Sequence, residues 1–130
     1  MTRTQQAAAA VVLATASVFP ALAQTRALDG RSFQGVFIEK GKTSGDADTL
    51  VFRDGKFRSS ACDRYGYSEA PYKAASAGDM TRFEAETYSP KYGKLRWNGV
   101  IAGGKLDATA VMVRDGKPDI ENWVVAGEKN

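Results

Sequence analysis

The feature that most constrains this chain is the spacing of its turn residues after about residue 30. Seven turn signals separate eight short runs, and longer connections alternate with connections of two or three residues. The connections are, in order, Gly41–Asp48, Asp54-Gly55, Cys62–Glu69, Ala77–Asp79, Ser89–Gly93, Gly103-Gly104 and Asp115–Pro118. Successive connections of an up-and-down meander lie at opposite ends of the sheet. The spacing therefore predicts one end with long loops and one end with tight turns.

The eight runs between these connections have the residue pattern of β-strands. They are Arg31–Glu39, Thr49–Arg53, Lys56–Ala61, Pro71–Ser76, Met80–Tyr88, Lys94–Ala102, Lys105–Arg114 and Ile120–Ala126. Aromatic or branched residues alternate with polar ones, as in Lys94–Ala102, where Leu95, Trp97 and Ile101 share a face. Asp54-Gly55 and Gly103-Gly104 suit two-residue hairpin turns, because both residue types tolerate positive φ. Pro71–Ser76 is predicted as a strand, with a short helix that starts near Pro71 as the alternative.

Eight consecutive antiparallel strands predict an all-β fold, either a barrel or a sandwich. We favour an eight-stranded antiparallel up-and-down barrel, because closure removes the exposed sheet edges. The interior of such a barrel is just wide enough for side chains or for one small ligand. Small residues fall at several inward positions and predict unfilled volume unless Phe and Trp side chains cross the interior. These positions are Gly35, Ser59, Ala61, Ala85, Gly99, Ala108 and Ala110.

The hairpin from Trp97 to Thr109, with Trp97-Asn98-Gly99 before the Gly103-Gly104 turn, is similar to the W-x-G hairpin of the avidins. The layout as a whole resembles the lipocalin and streptavidin-like barrels, and small exported bacterial barrels. Val111 or Met112 stands where the avidins place a second Trp. Gly30-Arg31-Ser32-Phe33 lacks the Trp of the lipocalin G-x-W entry. The resemblance therefore implies the barrel fold, and we transfer no biotin-binding or lipid-binding residue from it.

The first 23 residues read as a secretory signal peptide. Arg3 precedes an apolar stretch, Ala7–Phe19, which is followed by Pro20 and by the small-x-small tripeptide ending at Ala23. Cleavage after Ala23 leaves residues 24–130 as a single barrel domain in the periplasm or outside the cell. The alternatives are cleavage after Ala16 and an uncleaved membrane anchor, for which the apolar stretch is short. After cleavage we expect no membrane span.

Composition excludes several classes of chemistry. The chain has no histidine and one cysteine, Cys62, so it has no Ser-His or Cys-His pair and no imidazole metal ligand. We expect neither an enzyme nor a cofactor. The net charge is +3, and the basic residues are scattered, so we expect no nucleic-acid partner. Cys62 cannot form an intramolecular disulfide; it is buried, bound to something, or free to pair between chains.

The long-loop end concentrates the residues that could bind a ligand. The segment Ser59–Tyr67 carries a thiol, a carboxylate, a guanidinium and two phenols, and further tyrosines lie near Ser89–Gly93. The candidate mouth residues are Cys62, Arg64, Tyr65, Tyr67, Tyr88, Tyr92 and Trp97. As a ligand-binding rim, the tyrosines supply apolar area with a polar tip, and Arg64 can hold a carboxylate or phosphate. As a plug, the same tyrosines close the barrel and Cys62 is an inert buried thiol.

Two functions follow as hypotheses. The first is a small-molecule binding barrel whose cavity opens at the tyrosine-bearing end. The second is a filled barrel that acts by contact with a periplasmic protein, as an inhibitor or an envelope-assembly partner. A cavity of several hundred Å³ favours the first, and a solid interior excludes it.

Overall fold

The structure is a computed structural model that describes residues 21–130. It contains nine strands and one 3-10 helix. The strands are β1 (Ala23–Gln24), β2 (Ser32–Glu39), β3 (Asp46–Arg53), β4 (Lys56–Ser59), β5 (Ala70–Ala77), β6 (Met80–Ser89), β7 (Gly93–Ala102), β8 (Lys105–Val113) and β9 (Ile120–Glu128). The 3-10 helix is Ser60–Tyr65. Most of the expected signal peptide lies outside the described residues, and its expected cleavage point, after Ala23, falls within β1.

The eight strands from β2 to β9 form a closed antiparallel barrel. Each strand pairs with its neighbours along the chain, and the pairing of β2 with β9 closes the ring from Phe33↔Glu128 to Glu39↔Asn122. The bidentate pair of Arg31 with Glu128, at 2.7 and 2.8 Å, lies at the end of this seam. The predicted all-β up-and-down barrel is confirmed.

Two local predictions can be checked against the strands. The segment predicted as Pro71–Ser76 is a strand, β5, and the helical alternative is wrong. Strand β3 begins at Asp46, earlier than predicted, and Asp48 pairs with Gly35 of β2. The sequence analysis placed Asp48 at the end of the connection Gly41–Asp48. It lies instead at a buried strand position, where the Ser59 hydroxyl and the Ala61 N–H donate hydrogen bonds to it.

The tight turns have the predicted backbone geometry. Asp54 and Gly55 have φ of 55° and 75°, and Gly103 and Gly104 have φ of 58° and 75°. Positive φ at both central residues is the type I′ signature, whose twist matches the flanking strands. These turns lie at the same end of the barrel, the tight-turn end.

The tight-turn end is also covered by the chain before β2, which the sequence did not predict. Leu28 is buried, and its backbone N–H donates to the Tyr72 hydroxyl at 2.9 Å. That hydroxyl donates to Asp29 at 2.9 Å, and the Asp29 carboxylate accepts from the Gly55 N–H at 3.0 Å. Residues 25–31 therefore close this end of the barrel.

Aromatic side chains fill the adjoining part of the interior. Phe52 packs against Phe57, Tyr72 and Phe83, with ring centroids 5.1 to 5.2 Å apart. Trp97 lies 4.7 Å from Phe57, between centroids. Gly99 leaves room for Phe83, because a Cβ there would meet the Phe83 ring at 2.4 Å. The space above Gly99 is therefore filled by the ring of Phe83, its pairing partner on the adjacent strand.

Candidate functional site

The opposite end of the barrel contains a cavity of about 440 Å³. Residues from the connections β2–β3, β4–β5 and β6–β7 line it, together with Ile120, which begins β9 after the connection β8–β9. Three of the four longer connections predicted from the sequence therefore meet around one cavity, and β9 begins beside it.

The cavity has a polar rim and a mostly apolar interior. The exposed rim residues are Glu39, Lys42, Ser44, Gly45, Asp46, Tyr65 and Tyr92. The half-buried wall residues are Phe37, Ala61, Met112 and Ile120. The buried residues are Cys62, Tyr67, Leu95 and Asn122. Apolar walls with few polar groups at depth are typical of small-molecule sites.

The 3-10 helix Ser60–Tyr65 brings three cavity residues together. Gly66 ends it in the left-handed region, at φ 85°, and its N–H donates to the Asp63 carbonyl at 2.9 Å. A residue with a Cβ rarely adopts this conformation. The resulting reversal places Tyr65 at the rim and Cys62 and Tyr67 at depth.

Asp48 anchors the start of this helix from inside the barrel. Its carboxylate accepts from the Ser59 hydroxyl at 2.7 Å and from the Ala61 N–H at 3.0 Å. Burial raises the pKa of Asp48, although these hydrogen bonds favour its charged form and work in the opposite direction. The carboxylate therefore fixes the position of the segment that carries Cys62.

The Cys62 thiol is buried, with 4% of the residue exposed. Its Sγ lies 3.4 Å from the Ser59 Oγ, and burial raises the pKa of the thiol to about 12, with a further increase from the nearby Asp48 charge. Because the thiolate is the reactive form, a thiol that stays protonated is a poor nucleophile and a poor metal ligand. The geometry agrees with Cys62 as a small apolar wall residue.

Tyr67 and Asn122 are the polar side chains at depth. Tyr67 is 7% exposed, and its hydroxyl has no hydrogen-bond partner within residues 21–130. Asn122 is 5% exposed and donates from Nδ2 to the Ala110 carbonyl at 3.0 Å. An unmet buried hydroxyl costs on the order of 1–3 kcal/mol, so such groups usually have a partner.

The rim tyrosines already have cationic neighbours. The rings of Tyr65 and Tyr92 make an edge-on contact at 5.7 Å. The Arg64 guanidinium lies 5.1 Å from the centre of the Tyr65 ring and pairs with Asp46 at 3.0 Å. The Lys91 ammonium lies 5.4 Å from the Tyr92 ring.

The structure brings four of the seven candidate mouth residues to the cavity: Cys62, Tyr65, Tyr67 and Tyr92. Arg64 stands outside and pairs with Asp46. Tyr88 is 57% exposed on the outer face, because the inward positions of β6 at this end are Thr87 and Ser89. Trp97 is buried deeper in the core, where its Nε1 donates to Thr87 Oγ1 at 3.3 Å.

Sequence reasoning missed the walls that the strands contribute: Phe37, Leu95, Met112, Ile120 and Asn122. Strand alternation already placed Phe37, Leu95 and Met112 at inward positions near the long connections. Position along the strand was the signal that could have found them. Asn122 carried no such signal, because a polar residue between Glu121 and Trp123 reads as surface.

A second depression, of about 590 Å³, lies on the outside of the barrel. Strands β6 to β9 form its floor, and outward side chains such as Glu84, Asp107 and Trp123 surround it. It is larger, but it is a groove on the outer face, with Arg82 and the exposed side chains of Trp123 and Val125 along it, whereas the cavity lies inside the end of the barrel. We regard the cavity as the candidate site.

No protein-family model matches the chain, and no curated protein and no solved structure matches it significantly. The class that the fold and the cavity define is a closed eight-stranded antiparallel barrel with an open, loop-bearing end. Residues 21–130 include no group of three or more Cys, Asp or Glu side chains placed to hold a metal ion. In the same range, none of the helical segments has the length and apolar character needed to cross a membrane.

Proposed function

We propose that this chain is an exported barrel that binds a small molecule in the cavity at its long-loop end. The observation that carries the proposal is a cavity of about 440 Å³ with apolar walls and a buried tyrosine hydroxyl that lacks a partner within residues 21–130. Its volume lies in the range of ligand sites in proteins. It supports this function over the filled barrel that acts by protein contact, because a filled barrel leaves no such volume. The likeness in plan to lipocalin and streptavidin-like barrels supports the same proposal.

The test is to fill the cavity. Met112 lines it from β8, and Val111 beside it faces outward on the same strand. We expect Met112→Trp to weaken binding of small aromatic compounds by about tenfold or more, which corresponds to about 1.4 kcal/mol, while Val111→Trp binds like the unmodified protein. Binding is measured by ligand-observed NMR with neutral, anionic and cationic aromatic compounds.

Thermal unfolding of both variants checks that each is folded. The proposal is wrong if folded protein binds no compound of any charge, or if folded Met112→Trp binds as well as the unmodified protein.

A further inference from the structure

We propose that the ligand is an uncharged aromatic or alicyclic molecule with one hydrogen-bonding group, a hydroxyl or a carbonyl, which pairs with the Tyr67 hydroxyl. This inference rests on the proposed function, since it names the class of ligand for the same cavity. It follows from three properties of the site: its size, the absence of charged side chains at depth, and the unmet hydrogen-bonding capacity of the buried Tyr67 hydroxyl.

Size sets the first limit. A volume of about 440 Å³ corresponds to roughly fifteen water molecules at about 30 Å³ each. That is room for a compact molecule of one or two rings. A long acyl chain needs a deeper channel, but below the cavity Trp97 and Phe57 are buried with their ring centroids 4.7 Å apart.

The charges of the cavity lining are all at the rim. Glu39, Asp46 and Lys42 are exposed, and the buried lining residues of the described chain are uncharged. An ionised ligand group at depth would therefore lose its hydration without gaining a buried counter-ion, which costs several kcal/mol. A neutral ligand avoids this penalty.

The surroundings disfavour an anion further. Asp48 lies behind Cys62, close enough to raise the thiol pKa, and two of the three charged rim residues are carboxylates. A cationic ligand group would be attracted only at the rim. There the faces of Tyr65 and Tyr92 are already occupied by the cationic groups of Arg64 and Lys91.

The buried Tyr67 hydroxyl suits a ligand that carries one uncharged hydrogen-bonding group. The Tyr67 hydroxyl can donate to, or accept from, a ligand hydroxyl, and it can donate to a ligand carbonyl. Asn122 also lines the cavity, and its Nδ2 is held by the Ala110 carbonyl. The Tyr67 hydroxyl is itself buried, so the proposed contact requires the side chains that cover it to move.

The experiment uses four compounds that share one ring system: 2-naphthol, naphthalene, 2-naphthoate and 2-naphthylmethylammonium. Affinities are measured at pH 7 by protein-observed NMR titration of the unmodified protein and of Tyr67→Phe. Tyr88→Phe is the matched control, because it removes a hydroxyl from an exposed tyrosine outside the cavity. We expect 2-naphthol to bind tightest. Tyr67→Phe should weaken 2-naphthol by about fivefold, the net value of one hydrogen bond, and leave naphthalene unchanged.

The outcomes separate the two proposals. If none of the four compounds binds, both the cavity function and the ligand class fail. If the naphthoate or the ammonium compound binds tightest, or if Tyr67→Phe binds 2-naphthol as well as Tyr88→Phe does, the cavity function stands and the ligand class is overturned. Shifts confined to the outer groove of β6 to β9 also overturn both.

Discussion

The most consequential single residue is Asp48, a buried carboxylate on a strand that otherwise alternates in the ordinary way. It accepts hydrogen bonds from the Ser59 hydroxyl and the Ala61 N–H, and so it holds the first turn of the 3-10 helix against β3. Its hydrogen bonds compensate only part of the cost of burial, since the pKa of Asp48 is still raised.

The raised pKa makes stability depend on pH in a defined direction. The folded protein keeps the Asp48 proton to a higher pH than the unfolded chain, whose aspartate pKa is about 3.9. Between these two values the folded state binds more protons, so stability falls as pH rises. We therefore expect the free energy of unfolding of the unmodified protein to decline relative to that of Asp48→Asn as pH rises through this window, and the difference to level off above it.

Urea unfolding at a series of pH values measures this difference. Asp107→Asn, which changes an exposed aspartate on the outer face of β8, controls for the loss of one negative charge. A constant difference between Asp48→Asn and the unmodified protein, or one that changes in the opposite direction, would contradict the prediction.

At the scale of elements, the 3-10 helix and its terminating glycine position the candidate site. Gly66 has φ of 85°, and a Cβ there would lie 3.3 Å from Ser89 Oγ. Ser89 in turn donates to the Tyr65 carbonyl at 2.7 Å, which ties the helix to the end of β6. The helix, the glycine and β6 therefore determine together where Tyr65 and Tyr67 lie.

The variant Gly66→Ala tests whether this glycine positions the cavity residues in addition to stabilising the fold. We expect Gly66→Ala to lower stability by about 1–2 kcal/mol, because a Cβ is strained in the left-handed region, and to weaken 2-naphthol binding as Tyr67 shifts. Gly116→Ala is the matched control: Gly116 has φ of 69°, and a Cβ there meets nothing within 4 Å. The control should lose similar stability and keep its affinity.

Thermal unfolding and NMR titration of both variants provide the two readouts. Equal binding by Gly66→Ala and Gly116→Ala would show that the terminating glycine does not position the site.

At the scale of the whole molecule, one part of the barrel is solid and the other encloses the cavity. The Phe83 ring of β6 lies over Gly99, its pairing partner on β7, and Ala108 of β8 lies on the other side of Gly99. Three strands thus meet at a position that has no side chain.

Because of this packing, we expect a single methyl group added at Gly99 to lower the stability of the protein. Gly99→Ala places a Cβ 2.4 Å from the Phe83 ring and 2.9 Å from the Ala108 Cβ. Overpacking of this kind costs about 1–3 kcal/mol. Gly127→Ala on β9 meets nothing within 4 Å and should be close to neutral. Urea unfolding compares the two; a loss of stability in Gly127→Ala that equals the loss in Gly99→Ala would refute the account.

Alternation and turn chemistry were enough to predict the barrel, because strand period and positive-φ turns are local properties. They were also enough to predict which end carries the long connections. They could not predict the cover over the other end, since Leu28 and Asp29 act through Tyr72, a residue far along the chain.

The candidate site was predicted only where loops contribute to it. Cys62, Tyr65, Tyr67 and Tyr92 lie on connections or close beside them, and their proximity follows from the parity of the meander. Asn122 and Asp48 could not be predicted as buried, because the partners that make their burial tolerable come from other strands: the Ala110 carbonyl and the Ser59 hydroxyl.

The cover formed by residues 25–31 has a kinetic consequence. With that end closed by Leu28 and the adjoining interior filled by aromatic rings, a bound molecule has to enter and leave past the same rim. If the chain binds a molecule as proposed, association and dissociation should use one route, past the rim that carries Tyr65 and Tyr92. Changes at the rim should alter both rates together, while changes at Leu28 should act on stability and leave exchange of the bound molecule as it was.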